Sequence, residues 1–177
     1  MNRRGSVIWL TGLSGSGKTT LGTLLKKHLE GRRIDVEFLD GDIVRGFFER
    51  DLGYSRKDRI MNVKRIAFAA KLLADHRVTV IVANIAPYYE VRDFIRKKLD
   101  SYFQVYVKAS LAEVRKRDSK GHYSSFQSGK LTDLIGEDDG YDEPRNPDFV
   151  VETEKQDPQT SAENIMDWLL KTGITHG

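Results

Sequence analysis

Residues 12 to 19 read Gly-Leu-Ser-Gly-Ser-Gly-Lys-Thr, a complete G-x-x-x-x-G-K-T spacing. These residue types in this order suit the cradling of a chain of phosphates. Gly12, Gly15 and Gly17 let the backbone curl so that successive N–H groups point inward. A helix starting at the end of the loop adds partial positive charge. Lys18 can reach the β- and γ-phosphates of ATP, and Thr19 can place its hydroxyl on Mg²⁺. The expected ATP-binding set is therefore Gly12, Leu13, Ser14, Gly15, Ser16, Gly17, Lys18, Thr19 and Thr20. A Gly-rich turn that binds nothing is the plain alternative. The full loop between an apolar run, Val7 to Leu10, and a helical stretch from Thr20 to Leu29 argues against it.

A phosphate loop alone does not separate a kinase from a GTPase or a binding module. The acceptor side needs its own residues. Leu39-Asp40-Gly41-Asp42 is followed by Arg45. Phosphoryl transfer needs a carboxylate near the attacking hydroxyl or on the metal. Asp42 is the candidate, with Asp40 in support and Asp42 also a potential metal ligand beside Thr19. A lone Asp there would read as a helix N-cap, but two of them followed by Arg read as a site. No Asn-Lys-x-Asp sequence for guanine occurs, which argues against a GTPase.

These residues need a scaffold. Short apolar runs alternate with amphipathic stretches, the pattern of a parallel sheet covered by helices on both faces. The sequence predicts strands near 7–11, 35–39, 78–83, 103–108 and 148–152, and helices near 18–30, 43–51, 56–75, 88–99, 111–118 and 159–171. The fold class is thus α/β, a three-layer P-loop arrangement with about five parallel strands. Ligands gather at the carboxyl ends of such strands, which would turn Asp40 and Asp42 toward the loop. Ser55 with Asp58, and Ser110 with Glu113, read as capping boxes, and Asp157-Pro158 as a helix start. Ile60, Val63, Ala67, Ala70 and Ala74 recur at helical spacing and read as core, as do Trp168, Leu169 and Leu170.

The 177 residues suit one domain, with 39% hydrophobic and 31% charged content. The absence of cysteine leaves no disulfide or thiolate metal site. The longest uncharged stretch, Val78 to Tyr89, is too short to span a bilayer, so a cytoplasmic protein with no membrane partner is expected. A net charge of +3 is too small to indicate nucleic acid. Its distribution is uneven: Arg45, Arg50, Arg56, Lys57, Arg59, Lys64 and Arg65 crowd one stretch, while Glu137, Asp138, Asp139, Asp142 and Glu143 crowd another. A solvated helix face or an anion-binding wall would each explain the basic stretch. Residues 119–141 break the alternation with Gly, Ser and charge. In a phosphoryl-transfer enzyme such a segment is a lid that excludes water.

Several motifs together resemble adenylylsulfate kinases. They are Gly12–Thr19, Leu39-Asp40-Gly41-Asp42-Ile43-Val44-Arg45, Asp51-Leu52-Gly53-Tyr54, Asp58-Arg59, Asn62, Ile85-Ala86-Pro87-Tyr88, Arg117-Asp118-Ser119-Lys120-Gly121-His122-Tyr123 and Tyr141-Asp142-Glu143-Pro144, in the family's order. The resemblance implies transfer of the ATP γ-phosphate to the ribose 3′-hydroxyl of adenosine 5′-phosphosulfate, with Mg²⁺, in a homodimer. It implies that Lys18, Asp42 and Asp40 are catalytic and that Arg117 lies against the ATP adenine. It gives acceptor binding to Asp42, Arg45, Tyr54, Arg59, Asn62, Ile85, Ala86, Lys120 and Leu134, and it starts the lid at Lys120 and Tyr123.

The chain also departs from that pattern. Ile43 stands where the family has Asn. Asn84-Ile85-Ala86-Pro87 replaces Phe-Ile-Ser-Pro, and Thr132, Leu134, Ile135 and Gly136 stand for Lys, Phe, Thr and Gly. The donor half matches and the acceptor half is altered. Losing one aromatic face of the base clamp removes roughly 1–3 kcal/mol of stacking, enough to weaken the acceptor about tenfold or to admit another base. Two alternatives follow: a sister kinase acting on another small nucleotide such as cytidine diphosphoramidate, and an inactive nucleotide-sensing module.

Overall fold

The computed structural model describes residues 5–173. Five strands form one parallel sheet: β1 (Val7–Thr11), β2 (Val36–Asp40), β3 (Thr79–Ala83), β4 (Tyr102–Lys108) and β5 (Phe149–Glu152), in the order β2-β3-β1-β4-β5. Val7 pairs with Val80 on one side and Tyr102 on the other, so β1 is central and wholly buried. Seven helices surround the sheet: α1 (Lys18–Glu30), α2 (Gly41–Phe47), α3 (Arg56–Asp75), α4 (Tyr89–Lys98), α5 (Leu111–Arg117), α6 (His122–Gln127) and α7 (Pro158–Lys171).

Strand side chains alternate between faces, which divides the core in two. Val7, Trp9, Val80 and Val82 meet Val63, Ile66, Ala67 and Ala70 of α3 and Val91 and Ile95 of α4. Ile8, Leu10, Ile81 and Val105 meet Leu21, Leu25 and Leu29 of α1 and Ile165 and Leu169 of α7. The connection after β1 therefore passes over one face and that after β3 over the other. The crevice between them opens at the carboxyl edge beside β1, where open α/β sheets bind ligands.

Local signals set the helix starts. Ser55 Oγ accepts from the Asp58 N–H at 3.2 Å and donates to the Asp58 carboxylate at 2.7 Å. Ser110 Oγ accepts from the Glu113 N–H at 3.2 Å, and Asp157 accepts from the Thr160 N–H at 2.9 Å, with Pro158 beginning α7.

Two expectations need correction. The second helix does not run to residue 51. It ends at Phe47, because Glu49 and Arg50 take left-handed φ values of 54° and 57° and turn the chain back. The segment 119–141 is not wholly irregular, since α6 forms inside it. Asp118 creates that helix by accepting from the Tyr123 and Ser124 N–H groups at 2.9 and 3.0 Å.

In the last helix, Leu169 is fully buried while Trp168 and Leu170 keep partial exposure. Leu169→Ala is expected to lower stability by about 2–5 kcal/mol through the cavity it leaves. Leu170→Ala should cost clearly less. Urea unfolding of both variants measures the difference, and equal losses would contradict this packing.

Candidate active site

The loop between β1 and α1 is held tightly. Gly12 has φ +153°, and a Cβ there would lie 2.3 Å from the Val107 carbonyl oxygen. Any other residue would have to push a backbone strand aside. Lys18 Nζ donates to the Gly12 and Leu13 carbonyls at 2.9 and 2.6 Å, so its ammonium folds back over the loop. Lys18 as a whole is half-buried. Desolvation of the ammonium nevertheless pushes its pKa down to about 7, helped by the Lys120 charge and opposed by Asp42 and Asp40.

The two aspartates have separate places. Asp40 ends β2 and is buried. Its carboxylate accepts from Thr19 Oγ1 at 2.8 Å and from the Asp42 N–H at 2.9 Å, so it caps α2 and holds the loop threonine. The carboxylate oxygen beside Thr19 thus comes from Asp40, a residue the sequence put forward only in support of Asp42. Asp42 lies in the first turn of α2 and is bonded to Lys120 instead. Burial would raise the Asp42 carboxyl, but the Lys120 hydrogen bond, then the charges of Lys120, His122 and Lys18, hold it below the ordinary carboxylate range. Such a carboxylate is ionised at neutral pH. It can orient a hydroxyl more readily than it can take its proton early in reaction.

The Thr19 hydroxyl and the two carboxylates are oxygen donors of the kind Mg²⁺ prefers. No group of three or more His, Cys, Asp or Glu among the described residues is arranged to hold a metal ion.

Across the crevice, Arg45, Tyr54 and Arg59 form a wall. The Arg45 and Arg59 guanidinium carbons lie 4.8 and 5.4 Å from the Tyr54 ring centroid. Arg45 is fixed by the Leu52 and Gly53 carbonyls at 3.1 and 2.9 Å. Arg59 donates to the Asp133 carbonyl, and its Nε lies 3.6 Å from Asp139 Oδ2. Asp139 also accepts from the Tyr88 hydroxyl at 2.6 Å. Asn62 is buried, and its Oδ1 lacks a hydrogen-bond partner. The Ile85 carbonyl accepts from Thr11 Oγ1 at 2.5 Å. Ala86 is buried at φ +43°, with its N–H on Asn84 Oδ1 at 3.0 Å.

Leu134 is buried next to Asp133, whose carbonyl accepts from Arg59. The Leu134 side chain packs with Ala109, Val114 and Tyr123. Ile135 joins the opposite cluster with Ala86 and Tyr88.

The segment 119–141 is folded down over the loop. Tyr123 donates its hydroxyl to the Ser14 carbonyl at 2.9 Å, and His122 Nδ1 lies 3.2 Å from Ser14 Oγ. Glu137 takes a two-pronged bond from Arg115 at 2.6 and 2.5 Å. Arg117 roofs the outer side of the loop. It donates to the Thr153 carbonyl at 2.9 Å, and Thr153 Oγ1 donates to the Ser16 carbonyl at 2.9 Å. Asp139, His122 and Thr153 were not singled out from sequence. Asp139 sits in the acidic run, but nothing in that run marks which carboxylate meets Arg59.

This sheet order, with a glycine-rich loop after the central strand and a helix that starts at its lysine, defines a P-loop kinase. Comparison with known proteins narrows it. The profile described as adenylylsulphate kinase matches residues 4–152. An adenylyl-sulfate kinase of Deinococcus deserti is 43% identical, over 93% of this chain and 91% of its own. Among solved structures, the Mycobacterium tuberculosis APS kinase CysC, in complex with AMPPNP and APS, superposes with a TM-score of 0.90 at 35% identity, covering 94% of this chain and 98% of that one. A hexameric APS kinase from Thiobacillus denitrificans gives 0.74 at 28% identity, covering 99% of this chain and 30% of that one. The chain belongs to the adenylylsulphate kinase family.

The depressed Lys18 has a measurable consequence. Its pKa of about 7 leaves the free side chain mostly neutral at about pH 8. Triphosphate oxygens beside it favour the ammonium, so binding must take up about one proton there and far less at about pH 6. Calorimetric titration with an ATP analogue, in buffers of different ionisation enthalpy, reads this directly. A buffer-independent enthalpy at pH 8 would refute the low value.

Proposed function

We propose that this chain is an adenylylsulfate kinase, moving the γ-phosphate of ATP to the ribose 3′-hydroxyl of adenosine 5′-phosphosulfate to give 3′-phosphoadenosine 5′-phosphosulfate and ADP. The observation that carries the reading is the position of Asp42. It lies in the first turn of α2, its N–H held by the same Asp40 carboxylate that holds Thr19 of the phosphate loop, with Arg45 of the wall following on the same helix.

In this reading Lys18 and the amides from Gly12 to Thr20 hold the ATP phosphates, and Arg117 lies against the adenine. Arg45, Arg59 and Asn62 hold the anionic end and ribose of the acceptor, and Tyr54 stacks on its base. The wall at Ile85 and Ala86 closes the far side, and Lys120 reaches in from the lid. Asp42 orients the 3′-hydroxyl toward the γ-phosphorus. Thr19 with Asp40 would hold Mg²⁺, which when bound neutralises phosphate charge. The chemistry needs little covalent help, so positioning and charge account for most of the rate. The lid keeps out water, the competing acceptor. ATP as donor agrees with a cytoplasmic place of action.

A second reading keeps the reaction and changes the acceptor to a cytidine diphosphoramidate. Ala86 without a hydroxyl and Leu134 packed against Tyr123 favour it, since both alter the base side of the site. An inactive sensor is disfavoured by the intact Lys18, Thr19 and Asp42.

We also propose that the chain works as a homodimer through α2 and α3. Ile43, Phe47 and Phe68 are 70, 82 and 65% exposed, with Phe48, Met61 and Leu72 partly exposed on the same two helices and the turn between them. Exposed apolar surface of this kind marks contact sites.

Two experiments test these readings. ADP release with ATP should be fast with adenosine 5′-phosphosulfate and slow with cytidine diphosphoramidate, and Lys18→Ala should lower turnover at least about a hundredfold. The reverse order of acceptors would transfer the assignment to the second reading, and no release with either would leave the sensor. Sedimentation equilibrium should give a dimer that Phe68→Glu converts to monomer. A monomeric wild-type chain would remove the dimer proposal.

A further inference from the structure

Asn84 follows the last residue of β3 and stands at the carboxyl edge of the sheet. Its backbone N–H donates to the Leu10 carbonyl at 3.2 Å, and its carbonyl accepts from Trp9 Nε1 at 3.3 Å. The main chain here is therefore tied twice to β1. Side chains alternate along β3, so Asn84 falls on the face of Val80 and Val82, which α3 covers. Arg59 and Asn62 are carried by α3. Lys18 begins α1, which packs on the other face. Asn84 thus belongs to the acceptor side of the crevice.

Its side chain is held in one orientation. Asn84 Oδ1 accepts from the Ala86 N–H at 3.0 Å, and that bond decides which way round the amide sits. Nδ2 is thereby turned toward the start of α2. It lies so close over Gly41 that a Cβ on that residue would collide with it. Gly41 does not need to be glycine for its backbone, because its φ lies outside the left-handed region. The space left by its missing side chain is filled by the Asn84 amide. Among the described residues Nδ2 has no hydrogen-bond partner, and half-buried Asn84 is not sealed from solvent at this atom. A donor fixed in direction, unpaired and reachable is prepared for a ligand.

The neighbours of Gly41 narrow what that ligand group is. On one side Asp40 holds Thr19 of the phosphate loop, and on the other is Asp42. Anionic groups have charged donors elsewhere: Lys18 for the donor phosphates, Arg45 and Arg59 for the acceptor's tail. A neutral amide suits a neutral oxygen. The neutral oxygen next to the 3′-hydroxyl of a ribonucleotide is its 2′-hydroxyl. We propose that Asn84 is a specificity-determining residue that donates an Nδ2 hydrogen to the 2′-hydroxyl oxygen of the acceptor ribose. This rests on the proposed transfer to the ribose 3′-hydroxyl. A site built to hydrogen-bond a substrate hydroxyl rejects the analogue that lacks it, because its own donor is then covered and unpaired. The contact reads the sugar whatever base is attached.

The test compares kcat/KM for adenosine 5′-phosphosulfate with that for its 2′-deoxy analogue, in wild type, Asn84→Leu and Gly41→Ala. Should cytidine diphosphoramidate be the better acceptor, its 2′-deoxy form is used in the same way. Asn84→Leu keeps the size of the side chain and removes the donor. Gly41→Ala keeps the amide and displaces it. Any effect of the 2′-hydroxyl on the reactivity of its neighbour is common to all three proteins. A general loss from disturbing the Ala86 turn touches both acceptors alike, so neither effect alters the comparison of ratios. The ribose preference of wild type should exceed that of Asn84→Leu about tenfold, the loss of one hydrogen bond. It should exceed that of Gly41→Ala severalfold. Either variant keeping the wild-type ratio would overturn the contact, even if its activity fell, and would leave the kinase reading standing. Wild type that turns over neither ribonucleotide would bring down the kinase reading and this contact together.

Discussion

The constraint on which the site depends is a positive charge held where water is scarce. The Lys18 ammonium has two backbone carbonyls for partners and, among the described residues, no counter-ion in direct contact. A desolvated ammonium is costly, and its low pKa expresses that cost. Asp40 and Asp42 soften it from one side, and Lys120 sharpens it from the other. Burial works to discharge Lys120 in turn, but the Asp42 hydrogen bond together with the charges of Asp42 and Asp40 raises its pKa and keeps it an ammonium. The carboxyl edge of the sheet is thus an alternation of charges awaiting one more anion. In the proposed reading a polyphosphate supplies the Lys18 ammonium with the counter-charge that the two carbonyls cannot give.

The sheet makes this arrangement possible. With β1 central, its carboxyl end is flanked by the ends of β3 and β4. Asp40 is the last residue of β2 and the cap of α2, so a single carboxylate joins strand end, helix start and loop threonine. The short α2 matters as well. Its stop at Phe47 lets the chain turn through Glu49 and Arg50, and the Leu52 and Gly53 carbonyls return to grip Arg45. A helix continued to residue 51 would carry those carbonyls away from Arg45.

Much of this is written in local sequence, and the rest is not. The five strands and the caps at Ser55, Ser110 and Asp157 follow from alternation and from side chains that bond within three residues. The loop follows from its glycines, whose conformations only glycine adopts readily. The stop of α2 is invisible because Glu49 and Arg50 are ordinary helix formers held left-handed by tertiary context. The start of α6 is missed because six residues are too few to show a period, and its cap, Asp118, lies outside the helix. The division of labour between Asp40 and Asp42 is also unreadable. Two residues of one chemistry, two positions apart, differ only in what the fold brings beside them.

The acceptor side shows how a small change of packing can shift what a site recognises. Tyr54 offers one aromatic face, beside two guanidinium groups. Leu134 buries itself with Val114 and Tyr123. In the proposed reading, an acceptor base at Tyr54 would have one aromatic face and would forgo roughly 1–3 kcal/mol of stacking. The arginines lose nothing by this. Their planar forks still offer paired, charge-assisted bonds, stronger than neutral ones. Arg59 is already braced by the Asp133 carbonyl and Asp139, so its guanidinium is fixed before any ligand arrives. Under the proposed function, binding strength would therefore shift from the base to the anionic end, so the altered residues would bear on the choice of nucleotide rather than on the transfer of phosphate.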